Sequence, residues 1–507
     1  MNQKRLPSET PRLLVLGLDG ATWNLINPMM QSNELPVIQR LIESGSKGVL
    51  ESLDPMESPN LWTSIATGMP SDRHGINGYF CTRADLHVNR VWDIAHRHGL
   101  QVGLFSWLVT WPPRDPFAFI IPSWMAHSPE ARPFDYACIQ ELYLEQSRYG
   151  GEVHPIQGLW QCIQKGARWR GAEEMARFYW RDRRGFSEED RLAAKLLSEM
   201  RMRADLFIAL LKLYRPDVAT FTLYGSDKIA HRYWHYMAPD SFPEFQIPAD
   251  HPKKDAIRDY YRRADEEFGR ILSVMPLDCN VLLLSDHGFK ADPNAPRQFF
   301  LDASQLLQVL DVERIVHHYT IQRQVIIEPV IDDPQLVKTL EEALQSIQFS
   351  EDKEDVFRVE IQVEKQIVLR TNFSLSWHEE SPILTNPTIE IEGKSYPTRR
   401  FFFDRTFSGT HDPKGIILMH GPSIRSGGAI EKADLLDLAP TMLYLLDLPI
   451  SRELPGRIIS EAITEEYREN HAPKYIDSYG DPPAMPEDST AMPESLLEQL
   501  RSLDYIK

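Results

Sequence analysis

The stretch "LLVLGLDG", residues 13–20, decides the fold class of this chain. It is apolar throughout and ends at Asp19-Gly20, which is typical of a parallel strand buried on both faces. Helical patterns separate this run from further strand-like runs at 101–107, 218–227, 280–288 and 414–421. Strands that alternate with helices predict an α/β fold with a doubly wound, mostly parallel sheet flanked by helices. Such sheets bind ligands at the carboxyl ends of their strands.

Two segments interrupt the alternation of strands and helices. Aromatic and charged residues in a helical pattern fill residues of about 125–200, whereas residues of about 310–400 alternate as β-strands do. We therefore expect a helical and a β-rich insertion in one core. The predicted division is a polar N-terminal segment at 1–12, a core at 13–310 and 401–465 that includes the helical insertion, a β-rich insertion or cap at 311–400, and a Pro-rich acidic tail at 466–507 that ends in a short helix.

The composition argues against several classes of protein. A formal net charge of −18 over 507 residues disfavours binding of a nucleic-acid polymer, whose phosphates need an electropositive face. A small phosphorylated substrate stays possible, because bound cations can reverse the local field. The four cysteines are scattered, so we expect reduced thiols rather than disulfides. Neither a signal-like N-terminus nor a run of 18 apolar residues occurs, and we expect a cytoplasmic protein without a membrane span.

Carboxylate and imidazole side chains stand where the predicted strands end. In "SDKIAHRYW" an Asp and a His are four residues apart, so one helical turn would bring them to the same face. "SDHG" directly follows the most apolar predicted strand, and "SGTHDPKG" puts a His in a loop just before the next strand. Such side chains suit Zn²⁺ or Mn²⁺, and their number is enough for two ions. The six residues are Asp19, Asp227, His231, Asp286, His287 and His411.

Each of these residues alone also has a structural explanation. An Asp at a strand end is often a turn or helix-capping residue. His231 could be a packed side chain near Trp234, and the "DHG" at 286–288 could be a plain turn. The order of the four motifs along the chain, each at the end of a predicted strand, favours a metal site over these separate explanations.

The same motifs, in this order, carry a resemblance to a known family. The chain resembles the alkaline phosphatase superfamily and, within it, the type I phosphodiesterase/nucleotide pyrophosphatase branch. The resemblance covers the core from residue 13 to about 460 without the two insertions, and it implies a two-metal hydrolase with an alkaline-phosphatase-like sheet. The matching stretches are "LGLDG", "ESPNLWTSIATGMPSDRHGI", "VWDIAHRHG", "TWPP", "SDKIAHRYW", "LLSDHGF", "SGTHDPKGIILMHGPSI" and "DLAPTMLYLLDLP" with the following "PGR".

The resemblance implies a role for each matched residue. One metal ion would be held by Asp227, His231 and His411. The second would be held by Asp19, Asp286, His287 and the oxygen of the nucleophile. Counting back from Thr67-Gly68, the nucleophile falls on Ser58, where this branch more usually has a Thr of equivalent chemistry. Attack by Ser58 on phosphorus would give a covalent intermediate that water then releases.

The residues around Ser58 are compatible with that role. A Ser before Pro59 predicts an N-cap followed by Pro at N1, and a helix N-terminus favours both an alkoxide and an incoming phosphate. A plain N-cap without chemistry is the alternative. The amide of Asn77 could bind the phosphate, or Asn77 could be a turn residue. Three other hydroxyls lie inside the helix, those of Thr63, Ser64 and Thr67, and we expect them to be structural. We also expect His74 to be structural. The neighbouring Glu57 has no assigned role.

The reaction class follows from what surrounds Ser58. The Pro and Arg spacing of sulfatases is absent, and the "SPNLWTSIATG" block resembles phosphoglycerate mutases less well. Trp62 stands where an Arg would bind a phosphate or sulfate group. An apolar residue there would tolerate a non-ionic substituent, which favours phosphodiesters, and the substrate could be a nucleotide or a sugar-nucleotide. The alternatives are phosphomonoesterase or phosphotransferase activity at the same site, and a non-catalytic protein of this fold that binds a partner. By resemblance, the aromatic segment 158–180 and the β-rich segment 310–400 would lean over the metals and select the substrate, although a surface helix and sheet are the plainer interpretation.

Overall fold

The computed structural model describes residues 12–79, 81–126, 128–144, 155–182, 188–295, 297–313, 315–321, 324–329, 333–361 and 367–483. The predicted C-terminal helix and nearly all of the predicted N-terminal segment lie outside these residues. The described chain forms two compact units: the first comprises the residues up to Ala291 and from Gly409 onward, and the second comprises Asp292–Ser408. The second unit contains the predicted β-rich segment.

The strands are numbered in chain order. They are β1 Arg12–Leu18, β2 Ser46–Glu51, β3 Val102–Phe105, β4 Phe119–Ile121, β5 Val218–Leu223, β6 Cys279–Leu284, β7 Gly288–Ala291, β8 Gln298–Leu301, β9 Val316–Ile321, β10 Gln324–Pro329, β11 Gln348–Phe349, β12 Phe357–Ile361, β13 Ile367–Thr371, β14 Thr388–Ile391, β15 Lys394–Pro397, β16 Phe402–Arg405, β17 Gly409–Asp412, β18 Lys414–His420, β19 Gly428–Asp434, β20 Ile450–Ser451 and β21 Tyr475–Ile476.

The α-helices are numbered in the same way. They are α1 Trp23–Gln31, α2 Pro36–Glu43, α3 Ser58–Thr67, α4 Ser71–His74, α5 Val91–Arg97, α6 Ala137–Tyr143, α7 Pro155–Gln164, α8 Trp169–Asp182, α9 Glu188–Tyr214, α10 Gly225–Met237, α11 Ala256–Leu272, α12 Ala303–Val309, α13 Pro334–Gln345, α14 Pro382–Thr385, α15 Leu438–Leu445 and α16 Glu465–Asn470. None of the helices among the described residues is long and apolar enough to cross a membrane.

The first unit is built on an eight-stranded sheet of order β19-β2-β18-β6-β1-β5-β3-β4. Five of the seven neighbouring pairs are parallel, and both antiparallel pairs involve β18. The sheet is therefore parallel except for β18, and the predicted α/β fold is confirmed. The strands predicted from apolar runs, namely β1, β3, β5, β6 and β18, are all present. β2 and β19 were not predicted, because each leaves side chains exposed and so lacks a continuous apolar run.

The predicted helical insertion corresponds to helices α6 to α9. The C-terminal half of α9 packs on the sheet, where Phe207 contacts Phe105 of β3 and Phe221 of β5 at ring-centroid distances of 5.6 and 5.0 Å. The tryptophans of α7 and α8 lie outward, since Trp160 and Trp169 are 57% and 71% exposed. Only part of this segment therefore contributes to the buried core.

The second unit is mostly antiparallel sheet, as the alternating sequence predicts. Its largest sheet has the order β12-β13-β10-β9 and a smaller one has the order β11-β14-β15. The helix α13 contributes Val337, Leu340 and Leu344 to the apolar core of this unit. All four cysteines of the chain belong to the first unit, and all are free thiols, as predicted.

Candidate metal centre

The predicted ligands lie at one edge of the sheet. Asp19 follows β1, Asp227 lies in the first turn of α10 after β5, and Asp286 follows β6, so all three lie at the carboxyl ends of parallel strands. Because β18 is antiparallel to β6, the chain that enters β18 reaches the same edge. That chain carries His411, which is not in a loop as predicted but in β17, where it lies opposite Phe289 of β7.

The first cluster consists of one carboxylate and two imidazoles. Asp227 Oδ1 lies 3.4 Å from His231 Nε2 and 3.2 Å from His411 Nε2, and the two nitrogens are 3.1 Å apart. One turn of α10 brings Asp227 and His231 together, as their spacing predicts. Bonds of about 2.0–2.1 Å around a tetrahedral zinc ion separate its ligands by about 3.3 Å. The triangle formed by these three atoms therefore has the dimensions of one face of such a site.

The hydrogen bonds of the two histidines fix their tautomers. His231 Nδ1 is 2.9 Å from the carbonyl oxygen of Gly409, and His411 Nδ1 is 2.9 Å from that of Met56. A carbonyl only accepts, so each Nδ1 carries a proton, and in the neutral ring each Nε2 presents a lone pair. Two lone pairs 3.1 Å apart repel each other unless a proton or a cation lies between them. This is the arrangement of metal-binding histidines, which commonly donate their other N–H to a carbonyl or carboxylate.

The second cluster is almost completely removed from solvent. His287 Nε2 lies 3.5 Å from Asp19 Oδ1 and 3.6 Å from Asp286 Oδ2, and each of these residues is at most 1% exposed. The other atoms of the same side chains have partners. Asp19 Oδ2 accepts a hydrogen bond from Trp62 Nε1, and Asp286 Oδ1 accepts one from the backbone N–H of Gly20. His287 Nδ1 is 2.9 Å from the carbonyl oxygen of Gly288, which leaves its Nε2 facing the carboxylates.

Three atoms of the second cluster lack the hydrogen bonds that buried polar atoms normally make. Among the residues that the structure describes, Asp19 Oδ1, Asp286 Oδ2 and His287 Nε2 are buried without a hydrogen-bond partner. Burial of an unpaired polar atom costs free energy, and burial of an unpaired charge costs much more. The three atoms point at one another, so a single cation would satisfy all of them. The residues present therefore fit a divalent metal ion.

The two clusters are neighbours. His287 Nε2 is 3.9 Å from Asp227 Oδ1, and the rings of His287 and His411 stack at a centroid distance of 3.8 Å. His287 is nevertheless closer to Asp19 and Asp286 than to Asp227. By distance, His287 belongs to two possible ligand groups among the described residues, one with Asp19 and Asp286 and one with Asp227 and His411. The division of the ligands between two ions stays a prediction.

Burial and mutual repulsion shift the pKa values of the second cluster. Burial, followed by the charges of Asp286 and Asp227, raises the pKa of Asp19 well above its usual range. Burial and the charge of Asp227 raise the pKa of Asp286 to about 7. Burial and the neighbouring His411 lower the pKa of His287 to about 3. Carboxylates resist ionisation here and His287 resists protonation, whereas bound cations would favour the carboxylate anions and the neutral imidazole.

In the first cluster, interactions between the side chains oppose the effect of burial on their pKa values. Although burial acts in the other direction, His231 and then His411 hold the pKa of Asp227 well below its usual range. Burial would likewise lower the pKa of His411, but the hydrogen bond and charge of Asp227 raise it. Asp227 and His411 therefore stabilise each other's charged forms.

Ser58 lies at the N-terminus of α3, next to the second cluster. It is 7% exposed, and its hydroxyl interacts with the Asp19 carboxylate, which partly offsets the rise in the Asp19 pKa. The prediction that Ser58 is the N-cap is wrong by one residue. Glu57 occupies the cap position in an extended conformation, and Ser58 and Pro59 are the first two helical residues. Glu57 makes no side-chain capping bond, so the helix N-terminus is not closed by its carboxylate.

The rival hydroxyls have structural partners, as predicted. Thr63 Oγ1 donates to the carbonyl of Pro59, Thr67 Oγ1 donates to that of Thr63, and the Ser64 hydroxyl is 3.1 Å from His74 Nε2. His74 is fully buried, and burial lowers its pKa to about 4. Its Nδ1 accepts from the backbone N–H of Ile76, so this histidine is a neutral structural residue.

Two further residues near Ser58 belong to the predictions about the substrate. Trp62 is completely buried, with its ring edge-on to those of Trp107 and Tyr224, so it cannot face a bound substituent. The identity of Trp62 therefore carries no argument for phosphodiesters over monoesters; its indole N–H instead donates to Asp19 Oδ2. Asn77 is exposed, and its role in phosphate binding stays a prediction.

The sequence analysis missed Asn60, two residues after Ser58. Its side-chain oxygen accepts a hydrogen bond of 2.7 Å from the backbone N–H of Gly78. This bond ties the N-terminus of α3 to the loop after α4. Neither its residue type nor its spacing distinguishes Asn60 from an ordinary helical residue.

With the geometry established, comparison with known proteins identifies the family. A model of the type I phosphodiesterase / nucleotide pyrophosphatase family matches residues 13–385. The chain belongs to this family. The family is part of the alkaline phosphatase superfamily, and it comprises hydrolases of the phosphodiesterase and pyrophosphatase type that are typically metal-dependent. The matched range contains Ser58 and every ligand candidate except His411. No curated protein matches the chain.

Proposed function

We propose that this protein is a metal-dependent hydrolase of phosphodiesters or nucleotide pyrophosphates, in which Ser58 is the nucleophile. The three buried atoms of the second cluster that lack hydrogen bonds carry the proposal. Such atoms are costly in a protein that binds nothing there, and the Asp19 carboxylate interacts with the Ser58 hydroxyl at the N-terminus of α3. Family membership supports the reaction class.

Two divalent ions would be held by two sets of side chains. Asp227, His231 and His411 would hold the first. Asp19, Asp286 and His287, together with Ser58 Oγ, would hold the second. When bound, such ions lower the pKa of a coordinated hydroxyl and stabilise the charge on the attacking and leaving oxygens. A donor set of nitrogen and carboxylate oxygen suits Zn²⁺ first and Mn²⁺ second.

The residues of this chain carry out the remaining steps. Asp19, held by the Trp62 indole, orients the Ser58 hydroxyl. The Ser58 hydroxyl loses its proton to solvent as Oγ forms a bond to phosphorus. The bond from phosphorus to the leaving oxygen breaks, that oxygen takes up a proton from solvent, and the product is a covalent phosphoseryl ester. Attack by water on phosphorus then releases Ser58. The N-terminus of α3 stabilises the negative charge of the phosphoryl group throughout.

The substrate would be small and phosphorylated, such as a nucleotide or a sugar-nucleotide. A phosphomonoesterase or a phosphotransferase would use the same residues, so the products and not the site distinguish these activities. The phosphate role of Asn77 and the cytoplasmic location are predictions that rest on the sequence.

Hydrolysis of three chromogenic esters tests the proposal. Zn²⁺- or Mn²⁺-loaded protein is assayed with bis-p-nitrophenyl phosphate, p-nitrophenyl phosphate and p-nitrophenyl sulfate. We expect the diester to be hydrolysed fastest and Ser58→Ala to lose at least 1,000-fold in kcat, in the range known for removal of a covalent nucleophile, roughly 10³–10⁶. Ser64→Ala removes a hydroxyl from the same helix and serves as the matched control. Diester hydrolysis that survives Ser58→Ala would overturn the assignment of Ser58 as the nucleophile. Faster hydrolysis of the monoester or the sulfate would overturn the proposed diesterase activity.

A further inference from the structure

The proposed reaction gives no role to Glu57, the residue before Ser58. Its two neighbours in the chain each contact one cluster of the metal centre. The carbonyl oxygen of Met56 is 2.9 Å from His411 Nδ1 of the first cluster. The Ser58 hydroxyl interacts with the Asp19 carboxylate of the second cluster. Glu57 stands between these two contacts and is only half-buried, so part of it stays open to solvent.

The Glu57 carboxylate lies beside the loop that follows α4. A Cβ atom placed on Gly78 of this loop would be 3.3 Å from Glu57 Oε2. The backbone N–H of Gly78 donates a hydrogen bond of 2.7 Å to Asn60 Oδ1, and Asn60 belongs to the first turn of α3. The carboxylate therefore lies near the N-terminal end of α3, which is the end that carries Ser58.

No described residue neutralises this carboxylate through an ion pair. Glu57 makes no capping hydrogen bond, and among the residues that the structure describes its side chain has no cationic partner. Consecutive Cα atoms are about 3.8 Å apart, so the centre of the carboxylate is within about 10 Å of Ser58 Oγ, whatever the rotamers of the two side chains. A negative charge therefore acts on any phosphate that Ser58 attacks.

Phosphodiesters and phosphomonoesters differ in the charge that they bring to this position. Above pH 7 a monoester carries about two negative charges, because its second pKa is about 6, whereas a diester carries one. The Glu57 carboxylate repels the dianion more strongly than the monoanion. Two unit charges about 10 Å apart, at an effective dielectric constant of about 40, repel each other by an amount that equals about fourfold in an equilibrium constant.

We propose that Glu57 is a specificity-determining residue, whose negative charge selects monoanionic phosphodiesters over dianionic phosphomonoesters. This inference rests on the proposed function and deepens it, because it assigns the preference for diesters to one side chain. The buried Trp62 does not supply that preference. Glu57 takes no part in bond making, so its replacement widens the range of substrates and leaves the attack by Ser58 intact.

Two esters of p-nitrophenol that differ in charge test the inference. Methyl p-nitrophenyl phosphate is a monoanionic diester, p-nitrophenyl phosphate is a dianionic monoester, and both have the same leaving group. Zn²⁺-loaded protein is assayed at an ionic strength of about 0.01 M, where the Debye length is about 30 Å. Burial raises the pKa of Glu57, so the assay is run at about pH 8.5, where the wild-type side chain is ionised.

The measured quantity is kcat/KM for the diester divided by kcat/KM for the monoester. Glu57→Gln keeps the shape and removes the charge, and we expect it to lower this ratio at least threefold by a gain in monoester hydrolysis. Glu57→Lys should lower the ratio further, and Glu57→Asp, which keeps the charge, should stay closer to the wild type than to Glu57→Gln. Asp278→Asn removes an exposed carboxylate that precedes β6, at the sheet edge opposite the ligands, and should leave the ratio unchanged.

The outcomes separate this inference from the proposed function. A wild type that hydrolyses neither ester overturns the proposed function. A wild type that hydrolyses the diester, together with an unchanged ratio in folded Glu57→Gln, overturns only the role of Glu57. A loss of both activities in equal proportion in Glu57→Gln also overturns it, because a structural or catalytic role would have that effect. If Glu57→Lys fails to fold, the comparison of Glu57→Gln with Glu57→Asp decides.

Discussion

Removal of metal should make the stability of this protein depend on pH through Asp286. Without a cation, the pKa of this buried carboxylate rises from 3.8 to about 7. One pKa unit is worth about 1.4 kcal/mol, so ionised Asp286 costs the folded state about 4 kcal/mol. The folded pKa is the higher one. The cost therefore begins near pH 4, reaches about 2 kcal/mol at pH 5 and is complete above about pH 7.

The substitution Asp286→Asn isolates this cost, because it removes the charge and keeps the shape. In chelator, Asp286→Asn should gain about 2 kcal/mol over the wild type between pH 5 and pH 8.5. The first unit has about 370 residues, and an unfolding entropy of about 2.1 cal/mol/K per residue gives about 0.8 kcal/mol/K. The gain corresponds to about 3 °C in the unfolding midpoint.

Scanning calorimetry in chelator at several pH values measures the effect. The exposed Asp278 stands just before β6, and Asp278→Asn controls for loss of a surface charge. In saturating Zn²⁺ the unfolding midpoint of Asp286→Asn should instead lie below that of the wild type, because the variant has lost a metal ligand. A wild type and an Asp286→Asn variant whose midpoints in chelator differ by the same amount at every pH would refute the reasoning.

Three further substitutions probe the surroundings of the site. Trp62→Phe removes the indole N–H that Asp19 Oδ2 accepts, and should weaken Zn²⁺ binding about tenfold in a competition titration; unchanged affinity would contradict a positioning role. Phe207→Ala should cost about 3–5 kcal/mol in urea unfolding, since its ring packs on β3 and β5, and a cost below 1 kcal/mol would contradict that packing. His231→Ala should remove metal from the first cluster while retaining that of the second, as read by metal content; loss of both or of neither would contradict the division.

The sequence predicts the parts of this structure that are buried on both faces. The strands β1, β5 and β6 are continuous apolar runs because helices cover both faces of the sheet, and Asp227 and His231 share a helix face because of their spacing. These local signals suffice to place five of the six ligand candidates at one sheet edge. His411 also reaches this edge, but the reason lies in the reversal of β18, which no local pattern encodes.

Features that depend on contacts between distant segments were not predictable. The burial of Trp62 depends on Trp107 and Tyr224, which are far from it in the sequence. Ser58 is the first helical residue and not the cap, so the predicted start of α3 is wrong by one residue. Helix ends are usually uncertain by one or two residues.

The metal content of the purified chain tests the central claim most directly. Native mass spectrometry of protein reconstituted with Zn²⁺ and freed of excess metal should show two ions per chain for the wild type. The double variant Asp227→Ala/His231→Ala should retain one ion, and Asp19→Ala/Asp286→Ala should retain the other. A wild type that binds no metal, or one that still binds two ions after either double substitution, would contradict the account.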